Sequence, residues 1–430
     1  MIRLAVLPGD GIGGEVLAGP LALLAALDDG TNIDVTGPWP AGASAYADTG
    51  SVLPEATLLA CEEADAILLG AIGEHPGASP EAYRQPSALW TLRTHFGLRL
   101  SVREVLRPEG EPLVIVRNLL GGAYGEQDTR QEGGPSTPAW DRIELSGGQI
   151  EEVARAAADI LGRFEGHRLL SADKANLFAT SRLWRAIVQR IADERGATVE
   201  HCYVDRLAYE LARALPAAVI VTEGIFGDIL SDVAAATAGS IALSSSASVN
   251  PGSPLAGRCR ALFEPVHGSS PRRAGHDVAN PSGAYLALAA ALEWQDETRA
   301  AGAALRRALR LTLRAGVATY DLVAAGVRPV STAAFAEHVN NAFAREWPEL
   351  QTHRRVGQGW PIAGAMSGTT MLSSLSSCGT PAAYESRCRD IRRTAAAASL
   401  LLIASVIETW ARMVRLRDSG APYASFAVEA

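Results

Sequence analysis

The sequence predicts an α/β protein in which helices cover a sheet. Three observations lead there. Through about residue 340, short apolar runs alternate with longer segments whose apolar residues recur at helical spacing. The first run, MIRLAVL, enters a glycine-rich turn, PGDGIGG, as a strand does before a helix. After about residue 345 the alternation gives way to a stretch rich in Gly, Ser and Thr.

In chain order, residues 2–7 read as a strand and 15–27 as a helix with apolar residues on one face. Residues 66–69 form a buried strand ending at Gly70. A further strand spans 113–116 and runs into the loop GGAYGEQ. Residues 149–164 have the pattern of a long amphipathic helix, and 167–171 that of a strand. Residues 217–222 are a strand, followed by a helix from about 229. Residues 357–380 read as a loop or linker. Residues 390–415 read as one helix, with Leu400, Ile403, Ile407, Trp410 and Val414 on one face. Residues 346–430 are therefore an appendage, of a kind that most often serves packing or oligomer contact.

A chain of 430 residues has room for two or three domains. It is 48% hydrophobic and 20% charged, as an ordinary globular enzyme is. A net charge of −8 without a basic block argues against nucleic acid as a partner. Five scattered cysteines without a CxxC pair fit reduced thiols. The N-terminus lacks the long apolar segment of a signal peptide, and the longest apolar run, 395–407, is too short to span a bilayer. The expectation is a cytoplasmic protein with no membrane contact.

The segment SADKANLF holds the only lysine among 39 basic residues; the other 38 are arginine. Arginine replaces lysine well on surfaces and in ion pairs, but its guanidinium keeps its proton. An amine retained alone suits a step that takes up a proton, which makes Lys174 a candidate general base or Schiff-base lysine. In GDILSD, Asp228 and Asp232 lie four apart on one helix face, where they repel unless a cation or an arginine sits between them. Asp205 in YVDRLAYEL is a further oxygen ligand for Mg²⁺ or Mn²⁺. Arg93, Arg103 and Arg117 would bind a dicarboxylate through forked hydrogen bonds if they converge. Tyr124, in the glycine-rich loop after Arg117, is a candidate proton donor. Gly9, Gly11 and Gly14 with Asp34 formally match the Rossmann dinucleotide fingerprint, but many glycine-rich strand-to-helix turns do so.

Together these stretches resemble the β-decarboxylating dehydrogenases, the group of 3-isopropylmalate, isocitrate, tartrate and D-malate dehydrogenases. The resemblance runs to about residue 343 through LPGDGIGGEV, LLGAIG, LRTHFGLRLSVR, VRNLLGGAYGE, ADKAN, YVD, IFGDILSD, FEPVHGSSP and ANPSGA, in that order. It is closest to the 3-isopropylmalate enzymes. It implies an α/β, two-domain fold that is not a Rossmann fold, with the active-site cleft between a cofactor domain (1–98 plus 240–345) and a central substrate, metal and dimerisation domain (99–239).

The resemblance also implies roles. Arg93, Arg103 and Arg117 hold the malate carboxylates, and Asp205, Asp228 and Asp232 hold Mg²⁺ or Mn²⁺. Lys174 takes the hydroxyl proton and Tyr124 protonates the enol. Ile12, Glu264, His267, Gly268, Arg272, Arg273 and Asn280 line the nicotinamide cofactor. The lysine and one aspartate reach into the partner's site, which implies a homodimer with shared active sites. Arg272 stands where the NAD-using isopropylmalate enzymes carry an aspartate, so it and Arg273 favour NADP over NAD. Ser87, Leu89 and Trp90 set the pocket for the C3 substituent. Leu89 removes a polar anchor for a third carboxylate, and Trp90 shrinks or reshapes an isopropyl pocket. Gly14 replaces a family proline, and Gly224 an asparagine near the nicotinamide. The expected reaction is oxidation and decarboxylation of a 3-substituted malate such as 3-isopropylmalate. The alternative substrate is a smaller or modified diacid: D-malate, tartrate or a phosphonate-bearing malate. A non-catalytic regulatory subunit would lack proton-transfer or metal residues, and those are all present here.

Overall fold

The computed structural model describes residues 2–352, apart from 28–32, 75–78, 108, 126–128, 131–135, 137, 253–256 and 324–327. The linker and helix expected at 357–380 and 390–415 lie outside the described residues. The first part of the chain runs β1 (Ile2–Gly9), α1 (Gly13–Ala26), β2 (Ile33–Thr36), α2 (Ala43–Thr49), α3 (Glu55–Glu63), β3 (Ala66–Ala71) and α4 (Ala88–His95). The middle runs β4 (Leu100–Val105), β5 (Leu113–Asn118), β6 (Thr129–Arg130), β7 (Trp140–Asp141), α5 (Gly147–Leu161), β8 (Arg168–Asp173), α6 (Ala179–Glu194), β9 (Val199–Tyr203), α7 (Val204–Arg213), β10 (Ala218–Thr222) and α8 (Gly224–Ala238). The last part runs β11 (Ser244–Val249), β12 (Ala261–Pro265), α9 (Ser282–Glu293), α10 (Arg299–Arg314) and α11 (Thr332–Thr352).

Ten strands form one sheet in the order β2-β1-β3-β12-β11-β4-β5-β10-β8-β9. The apolar runs AILLGA, LVIVRN and AVIVT are buried along their whole length, because helices cover both faces of these inner strands. The centre is antiparallel: β11 runs against both β12 and β4, and β4 against β5. A Rossmann sheet is parallel through its centre, so this strand order excludes that fold. Of the fingerprint residues, Gly9 and Gly11 serve close packing: a Cβ on them would lie 1.8 Å from the Ala71 carbonyl and 2.0 Å from the Ser269 carbonyl. Asp34 pairs with Arg3 at 3.0 Å. A Cβ on Gly13 would lie 2.0 Å from the Pro8 carbonyl, so close packing falls on Gly13; a Cβ on Gly14 would meet nothing nearer than 3.8 Å. The missing proline at position 14 therefore leaves the turn undisturbed.

The strands of 1–98 and 240–345 occupy one end of the order and those of 99–239 the other, meeting where β11 pairs β4. Neighbouring residues on β4 point to opposite faces, as a strand requires. Arg103 reaches α8, while Glu104 reaches α10 on the other side. There Arg306 donates to Glu104 at 2.5 and 2.6 Å and to Glu293 of α9 at 2.9 and 3.0 Å. Every residue of α9 is buried, so this ion triad sits in the core beside a helix that is apolar nearly all round.

Candidate active site

The cluster that carries chemistry forms where β4 and β5 pack against α8. That helix begins at Gly224, about five residues before the periodicity predicts. Its early glycines allow close approach. A Cβ on Gly224 would lie 2.7 Å from the Tyr124 ring, and one on Gly227 would lie 2.8 Å from Arg117 Cδ. The asparagine common at position 224 in the resembled family is thus replaced by a residue that makes room for Tyr124. Asn118 Oδ1 accepts the Gly224 N–H at 2.9 Å, and Arg117 Nη1 donates to Gly224 O at 2.7 Å.

Asp228 is the hub. Its Oδ1 accepts from Arg103 Nη2 and from Arg117 Nη2, each at 2.9 Å, and its Oδ2 accepts from Tyr124 Oη at 3.3 Å. Arg103 Nη1 lies 3.5 Å from Asp232, so the arginine sits between the two carboxylates, as their repulsion requires. Ser231 Oγ accepts from Arg103 Nη1 at 2.5 Å. Burial, reinforced by Arg103 and Arg93, lowers Arg117 to about 10. Burial and the Asp228 charge raise Tyr124, which keeps its proton available to give. Burial, then Asp228, raises Asp232. Arg93 donates to Glu264 Oε1 on β12 at 2.8 Å and to Ser248 on β11 at 3.3 Å, and its charge reaches Arg117. The three predicted arginines therefore share one field.

Lys174 and Asp205 form a second cluster. Lys174 follows β8, and its Nζ donates to Asp205 Oδ1, in the first turn of α7, at 2.5 Å. That hydrogen bond holds Asp205 below the usual carboxylate range. Among the described residues, no three His, Cys, Asp or Glu side chains gather as a metal site, so one chain does not bring Asp205 to Asp228 and Asp232. A cavity of about 520 Å³ lies beside the Lys174 turn, lined in part by Ala175, Asn176, Arg185, His201 and Tyr203.

The residues expected at the cofactor lie around the loop after β12. The Ile12 N–H donates to Ser269 O at 2.8 Å, stitching the glycine-rich turn to that loop. His267 is buried, with Nδ1 3.0 Å from Gly268 O and Nε2 without a partner among the described residues, and burial lowers it. Nothing stands within 4 Å of where a Gly268 Cβ would lie. An orphaned buried nitrogen beside an open backbone is what a polar ligand would complete. Asn280 is buried and donates to Asp321 at 3.0 Å. Arg272 is exposed with no ion pair among the described residues, and Arg273 stacks 4.8 Å over Tyr320.

The specificity positions are placed differently from one another. Ser87 caps α4, accepting the Trp90 N–H at 3.1 Å, so its hydroxyl is already engaged. Leu89 packs partly against the core beneath α3 and α4, and Trp90 is half-buried. Sequence reasoning overlooked Asp10, which is fully buried and accepts backbone N–H groups of Ala43, Ser44 and Gly73 at 2.8 to 3.1 Å. A short carboxylate between two glycines of a tight turn was the available signal. It also overlooked Glu223, which burial raises at the start of α8.

The family model described as isocitrate/isopropylmalate dehydrogenase matches residues 3–339, and the chain belongs to that family. A 3-isopropylmalate dehydrogenase of Salinibacter ruber is 39% identical over 80% of this chain and 96% of its own length. One of Geobacillus kaustophilus is 37% identical over 79% and 95%. Among solved structures, a β-decarboxylating dehydrogenase of Thermococcus kodakarensis in its apo form superposes with a TM-score of 0.66 at 31% identity, covering 80% of this chain and 97% of that one. The expected fold is thereby established.

Proposed function

We propose that the protein oxidises and decarboxylates a 3-substituted malate of the 3-isopropylmalate type, with hydride transfer to NAD(P)⁺. The observation that carries this reading is Asp228 held at 2.9 Å by both Arg103 and Arg117, with Tyr124 on its other oxygen. Arginines and a proton donor around an acidic helix face suit a hydroxy diacid. Arg93, Arg103 and Arg117 bind its carboxylates, exchanging their present carboxylate partners for the substrate's. Asp228 and Asp232 offer hard oxygen donors for Mg²⁺ or Mn²⁺, with Asp205 of a second copy as the third. A bound divalent cation stabilises the negative charge that develops on the substrate oxygens. Lys174 accepts the C2 hydroxyl proton as the C2 hydride leaves for the nicotinamide. After CO₂ departs, Tyr124 delivers a proton to C3 of the enol.

The separation of the Lys174–Asp205 cluster from Asp228 supports a homodimer with shared sites. Around that cluster Leu177, Phe178 and Tyr203 are exposed, and Ile225 and Ile229 are exposed on α8; an apolar surface of this kind suits a second copy. Arg272, exposed and without an ion pair among the described residues, and the stacked Arg273 beside it support NADP over NAD. The division at the β11–β4 junction supports a cofactor domain of 1–98 plus 240–345 and a central domain of 99–239. None of the described helices is long and apolar enough to cross a membrane.

The test crosses NAD⁺ and NADP⁺ with 3-isopropylmalate, D-malate, tartrate, isocitrate and a phosphonate-bearing malate, following nicotinamide reduction with Mg²⁺ or Mn²⁺ present. Turnover of 3-isopropylmalate, or of a second 3-substituted malate in its place, is the expected result. Turnover of isocitrate alone would overturn the reading of Leu89.

A further inference from the structure

Beneath the Lys174 turn lies an ion pair, its carboxylate buried and its guanidinium partly exposed, to which the reaction itself gives no part. Asp173 ends β8 with its side chain almost fully buried. Its Oδ2 accepts from Arg185 Nε and its Oδ1 from Arg185 Nη2, both at 2.8 Å, a forked pair reaching across from α6. The same Oδ1 also accepts the Ala175 N–H at 2.8 Å. Asp173 therefore ties both the residue after Lys174 and helix α6 to the end of β8, on either side of the lysine.

The pair reaches the other partner too. Arg185 lies with its guanidinium 5.3 Å over the Tyr203 ring. Tyr203 stands opposite Asp173 in the β8–β9 register and is the N-cap of α7, whose first turn carries Asp205. One guanidinium thus fixes the turn that aims the lysine and braces the residue that starts the aspartate's helix. The Lys174 carbonyl accepts from the Leu177 and Phe178 N–H groups at 2.9 and 3.0 Å, which secures the far side of the turn. A surface salt bridge alone would not need a buried carboxylate with three donors; this one is built to hold geometry.

We propose that Asp173 and Arg185 are positioning residues that set the placement of Lys174 against Asp205. The proposal rests on Lys174 being the proton acceptor, as argued above. The chain's single lysine provides a readout independent of turnover. Reductive methylation with ¹³C-formaldehyde labels Lys174 and, apart from it, only the N-terminal amine. In the full-length protein, the Asp205→Asn variant defines the dimethyl-lysine shift of an unpaired amine.

In Asp173→Asn and Arg185→Lys the lysine signal moves toward that reference. In the same variants kcat falls about 10- to 100-fold, while KM for the hydroxy acid stays within about twofold. Stranding the buried Asp173 carboxylate without its arginine can prevent folding, so the double variant Asp173→Asn/Arg185→Gln, which leaves no buried charge, is made alongside. It is expected to fold and to show the same signal shift and kcat loss. Folded variants with a wild-type lysine signal and wild-type kcat would overturn the proposal. Full turnover by Lys174→Arg would instead sink the reading of Lys174 and leave the positioning measurement standing.

Discussion

Arg103 holds Asp228 at 2.9 Å across the gap between β4 and α8, where a cation would otherwise be needed. The carboxylate that would bind metal is thus kept in place by an arginine that would bind substrate, so each ligand competes with a contact already made. Lying between Asp228 and Asp232, the arginine supplies part of the positive charge that two neighbouring carboxylates need.

Divalent cation should raise the melting temperature of the wild-type protein without substrate. Saturation at a hundredfold over Kd corresponds to about 2.7 kcal/mol of stabilisation. Asp228→Asn should lose most of that response, read by thermal shift with Mg²⁺ and Mn²⁺. An unchanged response would remove Asp228 from the metal set.

Lys174→Arg keeps a positive partner for Asp205 but cannot accept a proton. Its kcat should drop about 10²- to 10⁴-fold with KM nearly unchanged. Steady-state kinetics at saturating metal decides the matter.

The buried triad predicts a pH effect on stability. Burial pushes the Glu293 carboxyl up to about 7 from its ordinary 4.5, while the same ion pair tightens the proton on Arg306. A carboxyl that holds its proton more tightly in the folded state stabilises below about pH 4.5. That contribution is lost as pH rises toward 7. Melting temperatures between about pH 5 and 8 should fall more steeply for wild type than for Glu293→Gln. Parallel curves would show the carboxyl to be ionised throughout.

Arg272→Glu should lower kcat/KM for NADP⁺ about 10- to 100-fold, the worth of a charge-assisted hydrogen bond, and alter NAD⁺ use by no more than about threefold. Equal losses with both cofactors would argue against contact with a 2′-phosphate.

Ser87→Ala removes the α4 cap and should cost about 1 kcal/mol of stability with KM unchanged. A large rise in KM would mean that the hydroxyl leaves Trp90 N for the substrate.

The strands legible in the sequence are the ones whose burial shows in every residue, such as 66–69 and 113–116. β11 escaped notice because SSSASV is buried without being apolar. Its serines are inside because β11 is an inner strand, paired with β12 and β4 on its two edges and covered by α9, and Ser248 in addition accepts from Arg93. β4 escaped because two consecutive charged residues, Arg103 and Glu104, are held on opposite faces by ion pairing rather than by hydrophobicity. At the site, the side-chain types were legible from motifs. The geometry was not: that Arg103 would lie between Asp228 and Asp232, or that Asp173 would brace the lysine, depends on where α8 and α6 dock.

The strand order also bears on how the chain comes to fold during synthesis. β3 pairs with β12, whose residues are made almost 200 positions later. Until they emerge, the N-terminal strands present an open edge of unpaired N–H and C=O groups that could template aggregation. β4, β5, β10, β8 and β9 are contiguous in the sheet and come from one uninterrupted stretch, so the middle of the chain is the natural first unit to fold. Pulse-labelled hydrogen exchange should find β5 and β10 protected before β3; simultaneous protection would refute that sequence of events.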